Sequence, residues 1–203
     1  EYLSDEWWRL WGHALATAKK LGLHLQIYDE NSYPSGFAGG HVPSRDPHTV
    51  AGNVTLLPMA SPEQVERTRG LGFLEITADS GRALAREDAT RRTSQGAAVA
   101  AVIAARAAPR PFSAGFGHVD LTLPDTTRHF LATTHEEYWK RFSTEFGSTI
   151  EYSFTDEPNP AHGDGFALND LLASEFADEH GYRLEDTWHE LWFGDGRVRY
   201  DYF

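Results

Sequence analysis

Apolar residues in the first stretch of the chain recur at helical spacing. Trp7, Leu10, Trp11, Ala14, Leu15, Ala18 and Leu21 share one face, which predicts an amphipathic helix over residues 5–21. Ser4 suits its N-cap, Asp5 and Glu6 its positive first turn, Lys19 and Lys20 its last turn, and Gly22 its end. The period then shortens. Residues 23–28 read as a strand that runs into Asp29-Glu30. Residues 30–47 hold Pro34, Gly36, Gly39, Gly40, Pro43 and Pro47, the composition of a shaped loop. Beyond it lie short strand-like runs at 53–57, 72–77 and 98–105, the last equally compatible with a helix. Asp79-Ser80-Gly81 and Ser94-Gln95-Gly96 supply turn chemistry between them. Helical spacing returns at 124–146, where Leu131, Tyr138, Phe142 and Phe146 line one side between Pro124 and Gly147. A second strand, 150–155, runs into Asp156-Glu157-Pro158. Helices are predicted over 166–180 and from Leu184 to Trp192, and residues 197–203 read as the start of a further element.

Helix, strand, β-rich segment, helix, strand, helix is the grammar of parallel α/β architecture. The expected fold class is therefore α/β: an incomplete (β/α)8 barrel over residues 1–50 and 120–203, with a small β-rich insertion at 51–119. A full barrel takes about 250 residues. Only two barrel-type strands are visible, and the chain opens on Glu1 directly into a helix, so a piece of a longer protein is expected. Both strands end in Asp-Glu. Carboxylates at the C-terminal ends of strands that alternate with helices are where such folds keep their chemistry.

Composition narrows the partners. The 203 residues are 40% hydrophobic and 13% aromatic, enough for a sizeable core. A net charge of −12 argues against nucleic acid and against anionic membrane as partners, while a neutral substrate or a cation stays compatible. The absence of Cys removes disulfides, thiolate metal sites and a Cys nucleophile, and leaves the redox compartment open. No apolar run reaches the roughly 18 residues of a membrane span.

Three segments carry a resemblance. The loop Tyr28-Asp29-Glu30-Asn31-Ser32-Tyr33-Pro34-Ser35-Gly36-Phe37-Ala38-Gly39-Gly40 resembles the YDE-x-x-W-P-S-G-x-A-G-G signature of large bacterial glycoside hydrolases similar to the family 106 α-L-rhamnosidases, with Tyr33 where Trp is usual. Thr134-His135-Glu136-Glu137-Tyr138 is similar to the T-H-E-x-Y segment of that family. Glu145-Phe146-Gly147 leading to Phe154-Thr155-Asp156-Glu157-Pro158 is similar to its E-F-G…F-T-D-E-P stretch, and Val198-Arg199-Tyr200-Asp201-Tyr202 also looks like family sequence. The resemblance implies a carbohydrate substrate, an α-L-rhamnoside being one candidate. It also implies a barrel whose third and fourth strands are 23–29 and 150–156, the remainder coming from the parent chain.

Glycoside hydrolysis usually needs two carboxyl groups across the scissile bond, one of them protonated. Glu157 is assigned as the acid: it ends a strand, precedes Pro158 and aligns by the resemblance with the fourth-strand acid of many barrel glycosidases. A sheltered position beside Phe154 and the like-charged Asp156 is expected, as an acid working at neutral pH requires. A loop cap or an Arg partner is the alternative role. Glu30 is the second catalytic candidate. With Asp29 it can hold sugar hydroxyls, tune the acid or ligate a hard cation such as Ca2+, the one cofactor considered. A structural carboxylate tying the Gly-rich loop through backbone N–H groups fits Glu30 equally well. Because strand residues alternate in direction, one member of each Asp-Glu pair is expected to face the site.

Asp29, Tyr33, Phe37, Asp156 and Asn159 form the expected substrate-binding set, with Tyr33 and Phe37 either stacking on a sugar ring or packing against the insertion. His118 with Asp120, and His162 with Asp164, either return to the mouth of the site or are ordinary loop residues. The Gly-rich loop lacks the Gly-Lys-Ser/Thr of a phosphate cradle, and His135-Glu136 lacks the second His of the zinc pattern because position 139 is Trp. The second carboxylate is expected from a later strand, so the chain alone is expected to lack hydrolase activity. A non-catalytic carbohydrate-binding scaffold and a metal-dependent hydrolase or lyase are the alternatives.

Overall fold

The computed structural model describes residues 1–160, 165–194 and 196–203. In chain order the elements are α1 (Asp5–Leu21), β1 (Leu25–Tyr28), α2 (His41–Arg45), β2 (Gly52–Met59), α3 (Pro62–Arg67), β3 (Gly72–Ile76), β4 (Gly81–Leu84), α4 (Arg86–Ser94), β5 (Val99–Arg106), α5 (Pro124–Thr133), α6 (His135–Phe142), β6 (Ile150–Phe154), β7 (Phe166–Ala167), α7 (Asp170–His180), α8 (Trp188–Phe193) and α9 (Arg197–Tyr202). The chain divides into two compact units, Glu1–Ala51 with Ala107–Pro160, and Gly52–Arg106 with Ala161–Phe203.

The first unit is built on α1. Its N-cap Ser4 accepts from the Trp7 backbone N–H, and Gly22 closes it at φ 65°, a left-handed conformation that a β-carbon would disfavour. Its apolar face meets α6: Trp8 and Trp11 stand edge-on to Tyr138 at 4.9 and 5.0 Å between ring centres. The Trp7 indole N–H donates to the Tyr138 hydroxyl. Leu15, Ile27, Tyr138 and Ile150 form the core beneath a parallel ladder, β1 against β6, in register Leu25↔Ile150 and Tyr28↔Phe154. The helix expected at 124–146 is interrupted at Thr134 (φ −109°, ψ −85°), whose hydroxyl donates to the Phe130 carbonyl.

The second unit is an antiparallel sheet of five strands in the order β4-β3-β5-β2-β7. β5 is central, so Val99 to Val102 are buried on both faces, which explains the unbroken apolar run. Val102 joins Val54, Leu74, Phe176, Leu184, Trp188, Leu191 and Val198 on one side; Val99 and Ala101 join Met59, Val65, Phe73 and Ala89 on the other. The alternation is the strand period of two.

The incomplete (β/α)8 barrel is therefore corrected. Among the described residues, parallel pairing of strands stops at β1 and β6, and the elements after β6 do not extend it. β7 pairs antiparallel with β2 (Asn53↔Ala167, Val54↔Phe166), and Phe176 of α7 packs on the antiparallel sheet. The strand-then-helix pattern after residue 150 is thus not a β-α repeat. Among the described residues, no helix is long and apolar enough to cross a membrane.

Candidate functional site

The site lies in the first unit, where β1 and β6 end side by side. Asp29 and Glu30 leave β1 and both turn inward, at 0% and 1% exposure. Strand alternation does not separate them because the strand ends at Tyr28.

Glu30 is held by the loop that comes after it. Its Oε2 accepts the backbone N–H groups of Gly36 (3.3 Å), Phe37 (3.2 Å) and Ala38 (2.7 Å), and its Oε1 accepts those of Asn31 (3.0 Å) and Gly39. Positive φ at Gly36, Gly39 and Ala38 lets successive N–H groups converge. A side chain at Gly39 would meet Asn31 Oδ1 at 2.6 Å, so the convergence needs glycine there. Burial pushes the Glu30 carboxyl above its ordinary range, opposed by these N–H groups.

Asp29 joins the loop to the second strand. Its Oδ1 accepts the Ser35 hydroxyl (2.7 Å), its Oδ2 accepts the Thr155 hydroxyl (2.6 Å), and His135 Nε2 stands 3.6 Å from Oδ2. Ser35 then exchanges two bonds with Asp156: its N–H donates to the Asp156 carbonyl (2.8 Å), and its Oγ accepts the Asp156 N–H (2.9 Å).

Asp156 and Glu157 stay within reach of solvent. The Tyr28 hydroxyl donates to Asp156 Oδ2 (3.0 Å), and the Tyr33 hydroxyl donates to Glu157 Oε2. Glu157 sits at φ 40° and is exposed, so the sheltered surroundings expected for it are not present. Among the described residues neither carboxylate is in an ion pair. Both tyrosines are pushed up, Tyr28 to about 12 chiefly by desolvation and then by Asp156, and Tyr33 chiefly by its bond to Glu157.

Aromatic rings surround the pair. Tyr28 (36% exposed) stacks on Phe154 (46% exposed) at 5.8 Å and 28° between planes, and Tyr33 meets Phe112 edge-on at 6.0 Å. Tyr152, opposite Gln26, extends the same open face of the ladder. Ser32 fixes the loop near Phe112 by donating to its carbonyl at 2.5 Å.

The structure thus brings Asp29, Tyr33, Asp156 and Glu157 together, and Glu30 reaches them through the loop backbone. Phe37 is fully enclosed with Tyr2, Ala38, Val42, Val119 and Phe130, with no face open for a ring to stack on. Asn159 lies exposed on the loop after β6. His118 and Asp120 are buried; His118 stands edge-on to Phe37, and Asp120 Oδ1 accepts the Thr122 backbone N–H and hydroxyl. His162 and Asp164 lie outside the described residues.

Sequence reasoning gave no site role to Tyr28, Ser35, Thr155 or Phe112, and expected Phe154 only as shelter for Glu157, whereas it is 46% exposed and stacked on Tyr28. Strand alternation carried a signal for Tyr28, since Ile27 and Tyr28 must face opposite ways. Phe112 had none. As for Ca2+, the oxygens of Asp29 and Glu30 are already engaged by protein donors. Among the described residues no group of three or more His, Asp or Glu side chains is placed to hold a metal ion. Comparison with protein-family models, with curated protein sequences and with solved structures found no match to this chain.

Proposed function

We propose that the first unit handles a glycoside, as the acid-bearing side of a glycoside hydrolase centre. One observation carries the reading: two exposed aromatic rings, Tyr28 and Phe154, lie side by side next to two carboxylates whose side-chain donors, among the described residues, are tyrosine hydroxyls. Sugar rings offer apolar C–H faces to aromatic side chains and hydroxyl donors to carboxylates. Glu157 is the acid or base, Asp156 an acceptor for sugar hydroxyls, and Tyr33 and Phe112 the second ring pair. Asp29 and Glu30 frame the site from beneath. The motif resemblance adds an α-L-rhamnoside as the first substrate to try. The reading does not depend on a barrel.

A non-catalytic saccharide-binding role is the second reading. It is favoured by one fact: the reachable carboxylates are adjacent residues, whereas hydrolysis needs two carboxyl groups on opposite sides of the bond.

Ligand-observed NMR with a panel of methyl and aryl glycosides, α-L-rhamnosides included, tests both. Saturation transfer to a glycoside is expected for the wild-type chain and lost in Tyr28→Ala and Phe154→Ala, without turnover by the chain alone. A chain that binds no member of the panel refutes the reading. In the longer parent protein, turnover that survives Glu157→Gln removes the acid assignment.

A further inference from the structure

We propose that Ser35, working through the buried carboxylate of Asp29, is the positioning residue that sets Glu157 in place; the role of that placement rests on the glycoside reading above. Ser35 is fully buried, and its N–H and its hydroxyl are both committed across the gap between loop and strand end. The N–H goes to the Asp156 carbonyl, the Oγ lone pair takes the Asp156 N–H, and the hydroxyl proton goes to Asp29 Oδ1. Asp29 also takes the Thr155 hydroxyl, and its own N–H donates to the Phe154 carbonyl (3.3 Å). Residues 154, 155 and 156 are therefore fixed one after another before the chain turns at Glu157.

That turn is left-handed, at φ 40°. An L-residue with a side chain adopts it at a cost, and only where its surroundings over-determine it. The Ser35 exchange supplies the determination on one side. Tyr33, two residues earlier in the same loop, supplies it on the other by donating to the Glu157 carboxylate. Ser35 is thus the root of a bracket whose tip is Tyr33. Threonine preserves both hydroxyl functions of Ser35; alanine removes both.

The state of Tyr33 reports whether the bracket is closed, with no substrate needed. The Tyr33 phenol is raised because Glu157 accepts its hydrogen bond. In a chain carrying 13C-labelled tyrosine, Tyr33→Phe identifies the Tyr33 resonance, and Glu157→Gln shows how it titrates without its charged partner. Ser35→Ala is expected to bring the Tyr33 titration down to that of the Glu157→Gln chain, and Ser35→Thr to restore the wild-type curve. Thr155→Val, which removes the second donor to Asp29 at an exposed position, is expected to move it part of the way. A folded Ser35→Ala chain whose Tyr33 titrates as in wild type overturns the proposal. So does a wild-type Tyr33 already at the ordinary value. Should Ser35→Ala not fold, Thr155→Val decides: a downward shift supports the bracket and an unchanged curve overturns it. Failure of the glycoside reading would show as absent sugar binding with the Tyr33 response intact, so the two failures are separable.

Discussion

Replacing Glu30 by Ala tests whether one buried carboxylate shapes the loop that carries Tyr33 and Ser35. The substitution leaves the N–H groups of Gly36, Phe37 and Ala38 without an acceptor, all three on buried residues. An unsatisfied buried donor costs about 1–3 kcal/mol. The bonds from Gly36 and Phe37 are long, so about 1 kcal/mol each is appropriate, and about 2 kcal/mol for the shorter one from Ala38. Removing a buried charge returns part of this sum, leaving a net loss of about 3 kcal/mol against a total stability of about 5–15 kcal/mol. That loss corresponds to about 100-fold faster hydrogen exchange at amides 36–39. Glu30→Gln keeps one acceptor oxygen but turns an NH2 group toward the other donors, and is expected to fall between the two.

The pH dependence has a definite sign. Burial raises the folded Glu30 carboxyl above its unfolded value of about 4.3. The stability that Glu30 contributes is then complete below that value and declines as pH rises through the folded one. Urea unfolding of wild type and Glu30→Gln should differ most in mild acid, with the gap narrowing toward neutral pH. Unchanged exchange at 36–39 in Glu30→Ala, or a gap that widens with rising pH, would refute the reasoning.

Two further outcomes test the second unit. Leu191 is fully buried against Val54, Leu74 and Val102, so Leu191→Ala should cost about 2–5 kcal/mol in urea unfolding, and a loss under about 1 kcal/mol would show that the core is not packed as described. The Glu75 carboxylate is lowered by Arg92 and then by Arg82, so its stabilisation is present above the unfolded carboxyl value and lost as pH falls through the folded one; the advantage of wild type over Glu75→Gln should therefore disappear in acid, and an advantage that grows there would contradict the pairing.

How much of this was legible depends on how local the cause is. The bounds of α1 could be read to the residue because its cap and its charged first and last turns are encoded within residues 4–22, but its buried face is shifted from the one expected: Leu10, Ala14 and Leu21 are exposed, and Trp8 packs on Tyr138. The strand at 98–105 stayed open between strand and helix because a central strand is buried on both faces and loses the alternation that would identify it. The break at Thr134 carried no Gly or Pro to announce it. The barrel expectation failed at β7, where two residues pair with β2, more than a hundred positions earlier; nothing local to residues 166–180 distinguishes that from another β-α repeat. In the site, strand-end carboxylates were visible in the sequence, but the fate of their side chains was not. Whether Phe37 faces a ligand or a core depends on Val119 and Phe130, which arrive from far along the chain.

The two Asp-Glu dipeptides are the sharpest instance, because identical residues at matching strand ends reach opposite states. The residues immediately C-terminal to each dipeptide decide between them. After Glu30 the chain supplies Gly36, Ala38, Gly39 and Gly40 at positive φ, and their region turns a row of N–H groups back onto the carboxylate. After Glu157 comes Pro158, which has no N–H to donate, and residues 158–160 are exposed. The first pair is thus consumed by protein donors, and its oxygens are closed to a ligand. The second stays within reach of solvent, restrained by the hydroxyls of Tyr28 and Tyr33. Under the glycoside proposal the carboxylates open to a ligand are Asp156 and Glu157, while Asp29 and Glu30 hold the loop and strand end that present them.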